Sequence, residues 1–318
     1  MRNSVQGKDR MGSSQGNPQH RGRGNLLAML CIILWSTGNA VSALLLIGRI
    51  SSTVIVFYMS LFSSVVLFLV CLVTGRLSGL RTIRKEEIPR IVILGLTGFF
   101  VYYHALFFGM ERLKVQQAST INYLWPMLIV LFAAWIYKEP LTKRKVFALL
   151  VSFFGVVYIA AEGDLANLAG INFPGLLGSG GAACLYALFS VLNMSMRLDK
   201  LLAMMLYSLS SFAASALAVA FRGGLIRPSL GEAVGLAWMG ALLAGVVYAL
   251  WITALTEGDT AVVSNLAYLN PCFSLVFIWL LLREPIEGYS YIGLGLVLAG
   301  IAIQLLPGDR ERMVQNDL

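Results

Sequence analysis

The sequence predicts an all-α integral membrane protein of ten transmembrane helices in two inverted five-helix repeats. Three observations carry that expectation. The 318 residues are 58% hydrophobic and only 13% charged, whereas soluble domains run at roughly 45–50% and 25%. The apolar residues are gathered in runs such as Val54 to Val73, Ile91 to Met110 and Ile292 to Leu306. Those runs approach the roughly 20 residues that cross about 30 Å of hydrocarbon. Finally, a segment of the first half recurs, without gaps, in the second.

Hydrophobic length places helices at 25–48, 53–74, 89–110, 116–137, 143–161, 175–195, 200–221, 232–256, 260–282 and 287–306. The connections are short and leave no room for a soluble catalytic domain. In lipid the backbone must satisfy its own hydrogen bonds, which selects a helical bundle. Residues 1–24 are polar and rich in Gly and Ser, with no cleavable-signal pattern, and are expected to be a disordered cytoplasmic tail. Residues 307–318 form a second tail. The first repeat then spans 25–161 and the second 175–306.

Charge sets an orientation. With the N-terminus inside, eighteen Lys and Arg fall on the inner side and six on the outer, so both termini are expected in the cytoplasm. The net charge of +8 then reflects attraction to anionic head groups and not a nucleic-acid partner. Cys31, Cys71, Cys184 and Cys272 lie one to a helix in apolar runs, without CxxC or Cys/His spacing. They are expected to be core packing and not disulfides or metal ligands. No cofactor and no metal site is expected.

A shift of 145 residues lays Ala118 to Leu141 (ASTINYLWPMLIVLFAAWIYKEPL) on Val263 to Ile286 (VSNLAYLNPCFSLVFIWLLLREPI). Ser119 meets Ser264, Tyr123 meets Tyr268, Pro126 meets Pro271, Glu139 meets Glu284 and Pro140 meets Pro285. Tyr103 with Tyr248 and Gly155 with Gly300 coincide as well. Matches of such uncommon residues at one offset imply duplication. Because five helices is an odd number, the second half enters the membrane from the opposite side, an arrangement common among secondary transporters. Pro126 and Pro271 each remove one helical hydrogen bond, so the fourth and ninth helices should kink there and mark a central site. The charged-Glu-Pro corners fit helix exits ahead of a proline.

All sixteen acidic residues lie in loops, tails or helix ends, so carboxylate-based coupling to protons or sodium is not expected. His104 is the one histidine within a helix. It is either functional or a neutral residue bonded to a neighbouring helix. The helices otherwise offer aromatic and amide groups: Trp35 with Asn39, Asn122 with Trp125, Tyr248 with Trp251, Tyr268 with Asn270, and Tyr186 with Ser190 and Asn193. Around a cavity these would stack flat rings and bond polar ends. The Gly-rich stretches at 175–181 and 293–300 suit close helix packing.

The paired repeat with its charged-Glu-Pro corners resembles the EamA repeat of the drug/metabolite transporter superfamily, from about residue 25 to 306. Within it, LWST at 34–37, NYLWP at 122–126 and YALW at 248–251 are similar to the bacterial inner-membrane exporters of aromatic amino acids. The resemblance implies a ten-helix fold, cytoplasmic termini and export of amino acids, with some members moving organic cations or toxic compounds. It also implies that Trp35, Tyr103, His104, Tyr123, Trp125 and Tyr248 line the pathway. The second repeat reads YLNP where the first reads YLWP, so the halves are not chemically equivalent.

The resulting expectation is an inner-membrane amino acid exporter, monomeric or weakly oligomeric, whose halves rock around a midplane cavity. Its substrate-binding residues are Trp35, Asn39, Tyr103, His104, Asn122, Tyr123, Trp125, Tyr186, Tyr248, Trp251, Tyr268 and Asn270, and its hinges Pro126 and Pro271. A multidrug or organic-cation exporter is the alternative, disfavoured by the lack of a buried carboxylate. A channel would need a ring of charges or a filter loop, and an enzyme a nucleophile, base or metal constellation. Neither is present in the sequence.

Overall fold

Hydrocarbon offers no hydrogen bonds, so the apolar runs satisfy their backbones as helices and turn their side chains to lipid or to one another. The computed structural model describes residues 18–48, 50–138, 142–170, 172–221, 226–258, 262–263 and 266–305. Helix α1 comprises Pro18–Ser36 and Gly38–Ile47, α2 is Ser52–Val73, and α3 runs from Ile88 to Met110. Helix α4 comprises Val115–Asn122 and Trp125–Tyr137, α5 is Lys143–Ala160, α6 is Phe173–Met194 and α7 is Lys200–Phe221. Helix α8 runs from Leu230 to Glu257, α9 comprises Ala267–Leu269 and Asn270–Leu282, and α10 is Gly288–Leu305. Seven of these are long and apolar enough to cross a bilayer unaided, while α9 and α10 are shorter apolar helices and α5 opens on Lys143, Arg144 and Lys145. No strand occurs among the described residues.

The duplication is visible in the coordinates. Adding 145 to the limits of Trp125–Tyr137 gives Asn270–Leu282, and adding it to Lys143–Ala160 gives Gly288–Leu305. Lys138 and Arg283, one in each charged-Glu-Pro corner, both cap their helices in the left-handed conformation, at φ 56° and 58°. Glu139 and Pro140 lie outside the described residues. Packing follows the same pseudo-two-fold: α5 lies on α10, α2 on α7, and the α3–α6 contact is matched by α8 against α1.

Small residues make these contacts close. A Cβ on Gly300 would fall 2.1 Å from Ser152 Oγ and 2.6 Å from the Ala148 carbonyl, and one on Gly155 2.7 Å from the Gly293 carbonyl. The repeat-related Gly95 and Gly240 likewise bring α3 against Tyr207 of α7, and α8 against Met59 and Phe62 of α2. With lipid as apolar as leucine, such van der Waals contact and not hydrophobic burial holds membrane helices together.

Four features depart from the sequence expectation. Residues 18–24 are helical and continue into α1 where a disordered tail was expected, while residues 1–17 and the second tail lie outside the described residues. Thr37 interrupts α1, where the Ser36 and Thr37 hydroxyls bond the carbonyls of Ile32 and Leu34 at 2.6 and 2.7 Å and so compete with the ladder. Helices α3 and α8 contain π-helical turns at Leu96–Val101 and Trp238–Val247. Cys184 is exposed and Cys272 half-buried, so only Cys31 and Cys71 are packed in the core; all four thiols are free.

The start of α4 and the α9–α10 connection are tied by one side chain. Gln116 donates to the Glu284 carboxylate at 3.0 Å and the Pro285 carbonyl at 2.9 Å, and accepts from the Ser290 hydroxyl at 2.7 Å. Beside it, Lys114 donates to Tyr289 at 3.1 Å. That hydrogen bond, helped by the carboxylates of Glu162 and Glu287, holds its ammonium above the ordinary lysine range.

The α5–α10 contact makes a direct prediction. Gly300→Val should destabilise the protein by about 1–3 kcal/mol, as overpacking does, and lower the temperature at which detergent-solubilised protein loses its monodisperse peak. Gly295→Ala, whose Cβ meets nothing within 4 Å, should leave that temperature unchanged.

Candidate functional site

Proline has no N–H, so the carbonyl four residues before Pro126 loses its helical partner. The chain responds by tightening: Leu124 N–H bonds the Ile121 carbonyl and Met127 N–H bonds Leu124, at 3.1 and 3.0 Å. The α-helix gives way at Tyr123 and Leu124, and Pro126 sits in the first turn of the segment that follows. In α9 the counterpart is the short 3₁₀ turn Ala267–Leu269, with Pro271 in the first turn after it.

Aromatic rings gather beside the α4 interruption. Trp125 stands edge-on to Tyr186 of α6, ring centroids 5.2 Å apart, and Tyr186 meets Tyr102 of α3 at 5.3 Å. Tyr102 meets Tyr103 at 4.7 Å, and Tyr103 and Tyr248 pack against the cluster that contains Phe99, Phe189 and Tyr207. Edge-to-face and tilted contacts at these separations are the favoured aromatic geometries. Tyr103, Trp125, Tyr186 and Tyr248 are half-buried, and the three tyrosines pack on the core. Asn122 donates to the Tyr102 hydroxyl at 3.2 Å, while its Oδ1 is buried with no hydrogen-bond partner.

A polar seam joins the three interrupted helices. Ser36 donates to Asn270 Oδ1 at 2.8 Å, and Asn39 donates to Ser274 at 3.0 Å. Tyr123, itself buried, lies beside Asn39 and Ser274.

The π-helical turns offer carbonyls that are out of register with a normal ladder, and indole and imidazole groups take them up. Trp35 Nε1–H donates to the Leu243 carbonyl at 3.0 Å, and its ring meets Trp251 at 5.3 Å. Trp238 Nε1–H donates to Thr37 Oγ1 at 2.8 Å, at the α1 interruption. His104 Nδ1 lies 2.7 Å from the Phe100 carbonyl, so it carries the proton, and Nε2 lies 3.2 Å from the Thr53 hydroxyl of α2. These contacts tie α3 to α2.

Of the residues singled out in the sequence, Tyr103, Trp125, Tyr186 and Tyr248 gather in one aromatic group around Tyr186. Trp35 and Trp251 form a second contact, and Asn39, Tyr123 and Asn270 belong to the seam. His104 is turned to α2. Tyr268 packs instead beside Ile121, Met127 and Val297, toward the α5–α10 side. Tyr102, Phe189, Ser274 and Trp238 complete these groupings without having been singled out. Tyr102 was adjacent to a chosen residue, but Ser274 has only Ile129 as its repeat counterpart, which removes the signal.

A profile of the EamA-like transporter family matches residues 22–161 and 174–306. The aromatic amino acid exporter YddG of Ancylobacter novellus is 24% identical over 292 residues, covering 91% of this chain and 99% of its own. A transporter of Archaeoglobus fulgidus is 29% identical over 241 residues, 74% of this chain and 83% of its own. Protein PecM of Dickeya dadantii is 22% identical, over 74% and 82% of the two chains. A solved crystal structure, 22% identical, superposes with a TM-score of 0.63 over 91% of this chain and 98% of that one, which establishes the shared fold.

The indole–carbonyl bond in this site can be tested on its own. Trp35→Phe keeps the ring against Trp251 but strands the Leu243 carbonyl, a loss of about 1–3 kcal/mol. It should lower thermal stability in detergent more than Trp251→Phe does. Equal stability of the two variants would show the bond to be dispensable.

Proposed function

The chain belongs to the EamA-like transporter family, and from that premise we propose that it exports aromatic and other neutral amino acids by alternating access around the space bordered by Tyr103, Trp125, Tyr186 and Tyr248. The observation that carries this reading is the convergence of half-buried rings from both repeats beside an interrupted helix. A flat substrate ring would stack among them. The ammonium of an amino acid would find an acceptor in the free Oδ1 of Asn122, which otherwise stays buried at a cost. The similarity to the A. novellus exporter supports the same substrate class.

Among the described residues, the acidic side chains sit at helix ends and in connections. An organic cation would therefore meet no compensating carboxylate in the aromatic space, which favours the neutral amino acid over the cation as cargo. The same absence favours facilitated exchange over proton coupling, with His104 as a tie between α2 and α3. In this account both termini face the cytoplasm and the protein sits in the inner membrane. A reporter active only in the cytoplasm, fused after Leu318, would be silent were the orientation reversed.

Counterflow in proteoliposomes tests the substrate and the mechanism together. Labelled phenylalanine should exchange with saturable kinetics and without dependence on an imposed pH gradient. Trp125→Ala should slow exchange about five- to tenfold, the scale of one lost aromatic contact, and Trp125→Phe should restore most of it. If no labelled neutral amino acid moves and Trp125→Ala changes no flux in cells, the amino acid assignment falls. Accumulation driven by a pH gradient and lost in His104→Asn would instead make His104 the coupling residue.

A further inference from the structure

Away from the aromatic space, the α2–α3 and α6–α7 connections meet on the inner side. Residues 76–90 and 195–200 together hold seven Lys and Arg against three Asp and Glu. The two connections are clamped together: Arg76 pairs with Asp199, and Arg90 donates to the Leu192 carbonyl at 2.9 Å and to the Ser195 hydroxyl. Between them lies a cleft of about 390 Å³ bordered by Thr82, Arg84, Glu87, Arg90, Ser195 and Arg197.

The lining sets three guanidinium groups against one carboxylate, and that carboxylate already accepts from the Arg84 backbone N–H at 2.9 Å. Among the described residues, Arg84 and Arg197 form no ion pair. Arg90, though fixed, uses only one of its terminal nitrogens. Planar guanidinium groups with free donors match the oxygens of a phosphate. Next to the cleft, the side chains of Ile88 and Val92, one turn apart on α3, and of Met194 at the end of α6 are exposed. Apolar side chains turned outward at the end of a membrane helix meet acyl chains.

We propose that this cleft binds the phosphate head group of an anionic phospholipid, with the acyl chains lying along Ile88, Val92 and Met194. A polar, positively charged recess above an outward apolar wall has the amphipathic profile of such a lipid, which a free phosphate would not use. Basic recesses between helices at the cytoplasmic leaflet are suited to this chemistry. Arg84 and Arg197 belong to opposite repeats, so a bound head group ties the two halves together at their inner ends.

Native mass spectrometry of the full chain, titrated with phosphatidylglycerol or with phosphatidylcholine of the same acyl chains, tests the proposal. The unaltered protein should retain phosphatidylglycerol about tenfold more strongly. Arg84→Gln/Arg197→Gln should bring the two lipids near parity. Arg84→Lys/Arg197→Lys, which keeps the charge, should preserve a smaller preference, and Arg81→Gln, outside the lining, should change nothing. Equal retention of both lipids by the unaltered protein, or an unchanged preference in the double Gln variant, would overturn it. Displacement of phosphatidylglycerol by millimolar inorganic phosphate would overturn the lipid assignment in favour of a free-anion site. Should the Gln pair not fold, the Lys pair and the phosphate competition decide the question.

Discussion

Inside a bilayer, a backbone carbonyl that loses its helical partner must find another within the protein, because neither water nor lipid will serve. This chain interrupts its helices at Thr37, at Tyr123 and Leu124, before Asn270, and in the π-helical turns of α3 and α8. Around these interruptions a side chain closes the gap or crosses to another helix. His104 takes the Phe100 carbonyl, Trp35 that of Leu243, Trp238 the Thr37 hydroxyl, and Ser36 the Asn270 side chain. The two side chains that take carbonyls, His104 and Trp35, stand beside the aromatic group of the candidate site and not within it. Interruption and site have one physical origin, since unwound segments both expose polar groups and create the space that a solute could use.

Duplication explains why the interruptions of α4 and α9, and the π-helical turns of α3 and α8, come in related pairs, while that at Thr37 has no counterpart in the continuous α6. Helices α5 and α10, α2 and α7, and the α3–α6 and α8–α1 contacts obey one pseudo-two-fold, and the glycines that permit close approach are repeated with it. The symmetry is not complete. Gln116 ties α4 to the α9–α10 corner through four groups, whereas the equivalent position of the second repeat is Ala261. Trp125 is answered by Asn270, which puts an indole in the aromatic space and an amide in the polar seam.

Much of the frame was legible in the residues. The limits of α5 and α10 and of the longer segments of α4 and α9 follow from apolar length and from the 145-residue repeat, because both depend on side-chain identity. Pro126 and Pro271 announced where ladders would fail. The π-helical turns and the Thr37 interruption were not legible, since the turns lie where α3 meets α7 and α8 meets α2, contacts between distant segments, and the interruption involves serine and threonine hydroxyls that are at home in many helices. Trp35 could be chosen as a site residue, but its partner is a main-chain carbonyl, and every residue has one. Tyr268 matched Tyr123 in sequence yet packs toward α5 and α10, because the repeat preserves position along a helix better than the neighbours on each face.

Export by alternating access requires the two repeats to move against each other about these interruptions. Spin labels at Glu111 and Arg227 at one end of the bundle, and at Ser78 and Lys200 at the other, would report the distance between repeats at each end in proteoliposomes. On adding phenylalanine, the account predicts that the two distance distributions shift in opposite directions, one end closing as the other opens. Distances that stay fixed at both ends while phenylalanine exchanges across the membrane would contradict it.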